Sequence, residues 1–200
     1  PAGKPCPRRA DDAGVAELFA EPGLRGNSLE RRIRLVRVRN LCAHFARNLS
    51  YYRARLKEDT RLTPDSQYWR TVHGNEVDIL VLEWCKLFAE RRGKYGWRKV
   101  VPNSETFEQG LLIHLESSRA QFKTYVDSMK YHRDKFVAHL DDENAMYIPQ
   151  FDLAWKATQF YFLQVTEELK KIAIVAEDDL SLQDYYATHF SEARVIYDRL

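Results

Sequence analysis

Apolar residues recur three or four positions apart along most of this chain, the spacing of one helix face. The first such stripe is Leu41, Phe45, Leu49, Tyr52 and Leu56, continued backward by Ile33 and Val38, with Ser28 placed to cap its start. Thr63-Pro64-Asp65 interrupts the pattern. A second helix follows through Val77, Leu80, Val81, Trp84, Leu87 and Phe88, and Gly93 and Gly96 supply stop signals. Trp97 and Val100-Val101 then read as packing for the connection. The third stripe runs from an N-cap at Ser104 through Phe107, Leu111, Leu115, Ser118, Phe122, Val126 and Met129 to about Arg133. After the acidic turn Asp141-Asp142-Glu143-Asn144 and Ile148-Pro149, a fourth helix carries Phe151, Trp155, Thr158, Phe162, Val165, Leu169 and Ile172. Beyond Glu177-Asp178-Asp179, a last, aromatic helix spans Leu182, Tyr185, Tyr186, His189 and Phe190 to Leu200, suited to packing on the bundle or to a dimer seam.

Nothing alternates long enough to predict a strand, and no internal repeat or Gly-rich phosphate loop is present. The expected fold is all-α, an antiparallel up-and-down bundle of four main helices plus a fifth C-terminal helix. Residues 1–27, rich in Pro, Gly, Ala and Arg, read as a flexible N-terminal arm with a short helix over Asp11–Phe19; residues 28–200 read as a single helical domain.

Composition changes this picture little. The hydrophobic fraction of 44% and charged fraction of 30% fit a globular protein, and a net charge of +2 does not by itself announce nucleic acid. Cys6, Cys42 and Cys85 make neither a disulfide framework nor a zinc spacing, which fits a reducing cytoplasm. No apolar run approaches the ~18 residues of a membrane span.

One position breaks the third stripe. Its next member after Met129 is Arg133, a guanidinium on the face directed at the core, where a buried charge requires a partner or a polar cleft. His139 follows six residues later. On a straight helix the two side chains stand about 120° apart, so they meet only if the helix bends or ends between them, or if two copies of the chain come together. Arg133 could instead pair with Asp78 or Glu76 of the second helix, and His139 could serve a helix C-terminus. His132 reads as a surface residue and a substitute base.

An arginine, a polar residue, four more residues and a histidine at the end of a long helix resemble the signature of HEPN domains. The wording Arg-Asp-Lys-Phe-Val-Ala-His-Leu-Asp (Arg133 to Asp141), Ile148-Pro149 with Trp155 after it, and Leu82-Glu83-Trp84-Cys85-Lys86-Leu87-Phe88 with Trp97 after it resemble the abortive-infection branch of that family. The resemblance covers roughly residues 29 to 172. It implies a HEPN-like bundle acting as a toxin-like or antiphage endoribonuclease that cleaves RNA without a metal or cofactor. It further implies a homodimer and an antitoxin or defence-system partner. Some family members carry a modifiable tyrosine two residues after the histidine; Asp141 stands there in this chain, so that form of control is not implied.

The chemistry suits the residue types. In metal-free cleavage the 2′-hydroxyl attacks the neighbouring phosphate and a base accepts its proton; imidazole exchanges protons near neutral pH. Negative charge builds on the phosphoryl oxygens, which a guanidinium fork can hold. The resemblance assigns proton transfer to His139 and phosphate binding to Arg133, with Asp134 orienting one of them and Lys135 adding a phosphate contact. Arg31, Arg32 and Arg34, in the arginine-rich first half of the first helix, form either a solvated face with local ion pairs or an electrostatic track for RNA phosphates or an acidic partner. Arg37 and Arg39 also precede His44 at a permitted spacing, but His44 with Arg39 reads as a core or interface pair. The alternative function is a non-catalytic helical module that binds a protein or nucleic acid.

Overall fold

The computed structural model describes residues 26–57, 60–61, 63–90, 92–137, 148–172 and 181–200. Residues 1–25 of the expected arm, with its short helix, lie outside these residues, as do His139, the acidic turn after it and the break at 177–179, whereas residues 26 and 27, assigned to the arm from sequence, are helical. The described residues are all-helical apart from one short ladder. α1 spans Gly26–Ala54, α2 Gln67–Phe88, α3 Trp97–Val100, α4 Ser104–His114, α5 Arg119–His132, α6 Asp152–Lys171 and α7 Leu182–Tyr197. A π-turn, Arg133–Val137, continues α5. The ladder pairs two-residue antiparallel strands, β1 (Leu56–Lys57) and β2 (Thr60–Arg61), in the link from α1 to α2. No described helix is long and apolar enough to cross a membrane.

α1 is the axis of the bundle, packing against α2, α6 and α7. Its buried face is one stripe spaced three and four residues apart, with Ala46 beside it. Leu35, Val38, Cys42, Phe45, Ala46 and Leu49 are fully buried, while Leu41 and Tyr52, which the periodicity placed on the core face, are only half-buried. α1 begins at Gly26, so Ser28 lies inside it and not at its cap. α2 starts where Ser66 accepts from the Trp69 amide and ends at Phe88, before the glycines that were expected to stop it. Trp97 and Val100 are buried, as a packed connection requires.

The expected long third helix is two helices. α4 is capped one residue before the predicted Ser104, by Asn103, and the Asn103 Oδ1 accepts from the Glu105 and Thr106 amides. It ends in a Schellman turn: the Glu116 amide donates to Ile113 and the Ser117 amide to Leu112, with Glu116 at φ 50°. Ser118 then opens α5 with a full capping box. Its hydroxyl accepts from the Gln121 amide, and the Gln121 side chain accepts from the Ser118 amide. The break resets the register. In α5 the buried positions are Phe122, Met129 and His132, so His132 takes the core position and is not the surface residue the sequence suggested.

α7 closes the far end of the bundle. Ser181 caps it, Tyr197 is buried, and the Tyr197 hydroxyl donates to Glu76 Oε1 at 3.5 Å, whereas Val195, Ile196 and Leu200 are exposed. Glu76 Oε2 is buried with no hydrogen-bond partner among the described residues, and burial pushes this carboxyl above its ordinary range against the pull of Arg55.

Two stability measurements follow from this packing. Ser118→Ala removes one arm of the capping box and should cost about 1 kcal/mol in denaturant unfolding. Because the folded state holds the Glu76 proton more tightly than the unfolded chain, stability falls as pH rises from 4.5 through the raised value. Glu76→Gln should therefore raise the melting temperature near pH 8 and lose that advantage near pH 4.

Candidate functional site

α5 ends at His132, and from Arg133 the chain winds as a π-turn packed on α2. Wider winding of this kind often accompanies functional positions, because it turns side chains out of the regular helical register. His132 remains inside, 2% exposed, with its ring against Phe136. Asp78 faces it; burial raises the Asp78 carboxyl and His132 draws it down. The partners proposed from sequence for Arg133 are thus engaged elsewhere, Asp78 with His132 and Glu76 with Tyr197.

Arg133 pairs instead with Asp134 at 2.7 Å and with Glu90 at 3.5 Å. Its Nε also donates to Asp134 Oδ1 at 2.9 Å, so Asp134 orients the guanidinium. The side chain is 17% exposed. Burial works against its charge, but the Asp134 hydrogen bond and the negative groups around it outweigh burial, and its pKa is raised. Burial pushes the Cys85 thiol up to about 12 against the pull of Arg133, which favours the protonated form and does not activate it as a nucleophile.

Glu90 reaches Arg133 because the connection between α2 and α3 folds tightly. The Gly93 amide donates to the Glu90 carbonyl at 3.2 Å, and a Cβ on Gly93 would stand 2.8 Å from Glu90 Oε2. Glycine is what allows this approach.

Arg133 closes one end of a groove of ≈ 940 Å³. Its floor is aromatic: Phe88, Trp97 and Phe122 line it. Arg92, Arg98, Arg119, Lys123 and Lys130 join Arg133 along it, against the carboxylates of Glu90, Glu108 and Asp127. Glu108 receives Arg119 at 2.7 Å and Arg98 at 3.8 Å; Lys123 pairs with Asp127. No ion-pair partner is found for Arg92 or Lys130 among the described residues. Most of these pairs are solvent-exposed and worth about 0–1 kcal/mol, so a polyanion can displace them. The groove thus concentrates positive charge in a chain whose net charge is only +2.

The other residues singled out from sequence are scattered. Arg31 pairs with Glu168 at 2.6 Å and Arg34 with Glu30 at 2.7 Å, beside a smaller recess of ≈ 300 Å³. Arg32 is half-buried on α1 and lines neither hollow. Lys135 is half-buried in the π-turn and does not line the groove. Arg39 lies over the Phe162 ring, and His44, half-exposed and not in the core, stands 4.0 Å from Glu83. Apart from Arg133, sequence reading missed the groove cations. Part of the signal was readable, since Arg119, Lys123, Lys130 and Arg133 fall four, seven and three apart on one face of α5.

Comparison with protein-family models, with curated proteins and with solved structures finds no match for this chain.

If Arg133 serves the groove and not the scaffold, removing it leaves the bundle standing. Arg133→Ala should lower unfolding stability by about 1 kcal/mol, with an unchanged far-ultraviolet circular dichroism spectrum. A decrease several times larger would make Arg133 a structural residue.

Proposed function

We propose that this chain is a HEPN-like helical module of the abortive-infection kind that cleaves RNA without a metal, acting as a toxin or antiphage effector in the cytoplasm. The observation that supports the reading best is Arg133: the arginine of the sequence signature lies where α5 passes into a π-turn, oriented by Asp134, at the end of a groove in which cations outnumber carboxylates. The all-helical architecture is compatible with a HEPN bundle. The role of His139, which lies outside the described residues, rests on the signature alone.

In this reading the RNA 2′-hydroxyl attacks the adjacent phosphorus. His139 accepts the hydroxyl proton, Arg133 binds the phosphoryl oxygens as their charge grows, and the P–O5′ bond breaks as the leaving O5′ takes a proton from water, to which the imidazolium of His139 later returns the one it accepted. The products are a 2′,3′-cyclic phosphate and a 5′-hydroxyl. Asp134 and Glu90 hold the guanidinium until a phosphate takes their place. A homodimer would bring two signatures to one cleft, and an antitoxin or defence-system partner would restrain them.

Purified protein should cut RNA in the presence of EDTA and leave 2′,3′-cyclic phosphate ends. Arg133→Ala and His139→Ala should each lower kcat about 10²- to 10⁴-fold with the fold retained. Cleavage that survives both substitutions rejects the site. Absence of cleavage by the folded wild-type protein leaves the non-catalytic binding module as the reading.

A further inference from the structure

We infer that the groove along α5 is a track for the phosphate backbone of a single RNA strand, with Arg92 and Lys130 as the cations that lead the strand to Arg133. The inference deepens the ribonuclease reading and rests on it for the choice of RNA. Its geometry comes from the groove itself. Arg119, Lys123, Lys130 and Arg133 share one face of α5 and its continuation, a row of about 21 Å at the helical rise. Arg92 faces this row from the connection between α2 and α3. Lys130 precedes Arg133 by three residues, one turn away on the same side.

The charge pattern favours a nucleic acid over an acidic peptide. Glu90, Glu108 and Asp127 are interspersed among the cations. Carboxylates only accept hydrogen bonds, so a polyacidic peptide would meet repulsion at each of them. An RNA strand offers phosphates to the cations, and base amino groups and sugar hydroxyls to the carboxylates. The aromatic floor refines the class. Phe88, Trp97 and Phe122 are 4%, 2% and 6% exposed, and Arg98 covers the Trp97 ring at 4.1 Å. These faces are committed to the core and are not free to stack bases, so recognition runs through the backbone and tolerates many sequences.

The test is fluorescence anisotropy with a labelled single-stranded 2′-O-methyl oligonucleotide. It lacks the attacking hydroxyl but keeps its phosphates and base amino groups, so binding is read apart from cleavage. Arg92→Glu with Lys130→Glu should weaken binding by about tenfold or more and flatten the salt dependence, by about 0.7 in slope for each phosphate that is no longer neutralised. The neutral pair Arg92→Gln with Lys130→Gln should do the same more mildly, and it serves if the charge reversals unfold the protein. Lys156→Gln, which changes an exposed cation of α6 that does not line the groove, should bind as wild type. Weakened binding in a protein that never cuts RNA would uphold this inference and remove the nuclease reading. Wild-type affinity in both groove pairs would overturn it, as would weakening only on Arg31→Gln with Arg32→Gln. So would tighter binding of a poly-glutamate peptide than of the oligonucleotide.

Discussion

A continuous cluster of aromatic rings joins the helices that make the groove. Trp84 stacks on Phe88 at 4.9 Å and meets Tyr125 edge-on at 5.3 Å; Phe88 touches Phe122 and Tyr161; Tyr161 touches Phe107; and Phe107 stacks on Trp97 at 5.1 Å. Rings from α2, α3, α4, α5 and α6 therefore share one packed network, each pair adding about 0.5–1.5 kcal/mol beyond its burial. The network supplies the groove with a stiff, dry floor. It also fixes the directions of α4 and α5 after the break between them, and so decides where the cations of α5 stand.

The helices themselves were legible in the apolar period, because burial on one face leaves a 3.6-residue repeat. The break at Glu116–Ser118 was not, because the repeat runs through it without a gap: Leu111, Leu115, Ser118 and Phe122 keep helical spacing across two separate helices. Ser118 with Gln121 three residues later was the readable sign, a capping box in the middle of an apparent stripe. The same ambiguity exchanged His132 and Arg133. Both follow Met129 within a turn, and only the packing against α2 decides that the imidazole goes in and the guanidinium to the groove. α1 misled for a different reason. Its buried stripe runs through Leu35, Val38, Cys42, Phe45 and Leu49, and Leu41 and Tyr52 lie at the edge of that stripe and not at its centre.

At the candidate site, Arg133 was visible as a polar residue out of place on an apolar face, and Asp134 as its polar neighbour. Glu90 was not, since it reaches Arg133 from the chain after α2 with a close passage over Gly93, and neither was Arg92, which lines the groove from the same connection. Tertiary convergence leaves no periodic mark in a sequence. The arginines of α1 show the converse. Their density along the chain left open a solvated face with local ion pairs or a phosphate track; Arg31 and Arg34 pair with Glu168 and Glu30 beside a separate, smaller recess.

Tyr95, between α2 and α3, carries a consequence for how any ligand would arrive. Its carbonyl accepts from the buried Tyr161 hydroxyl of α6 at 3.0 Å, and its own hydroxyl accepts from Arg37 of α1 at 3.1 Å. The wall of the groove is moored at both faces to the bundle before anything binds. A charged ligand that bound there would find little conformational entropy left to lose. Its association would then depend on diffusion and ionic strength and not on the slow ordering of a loop.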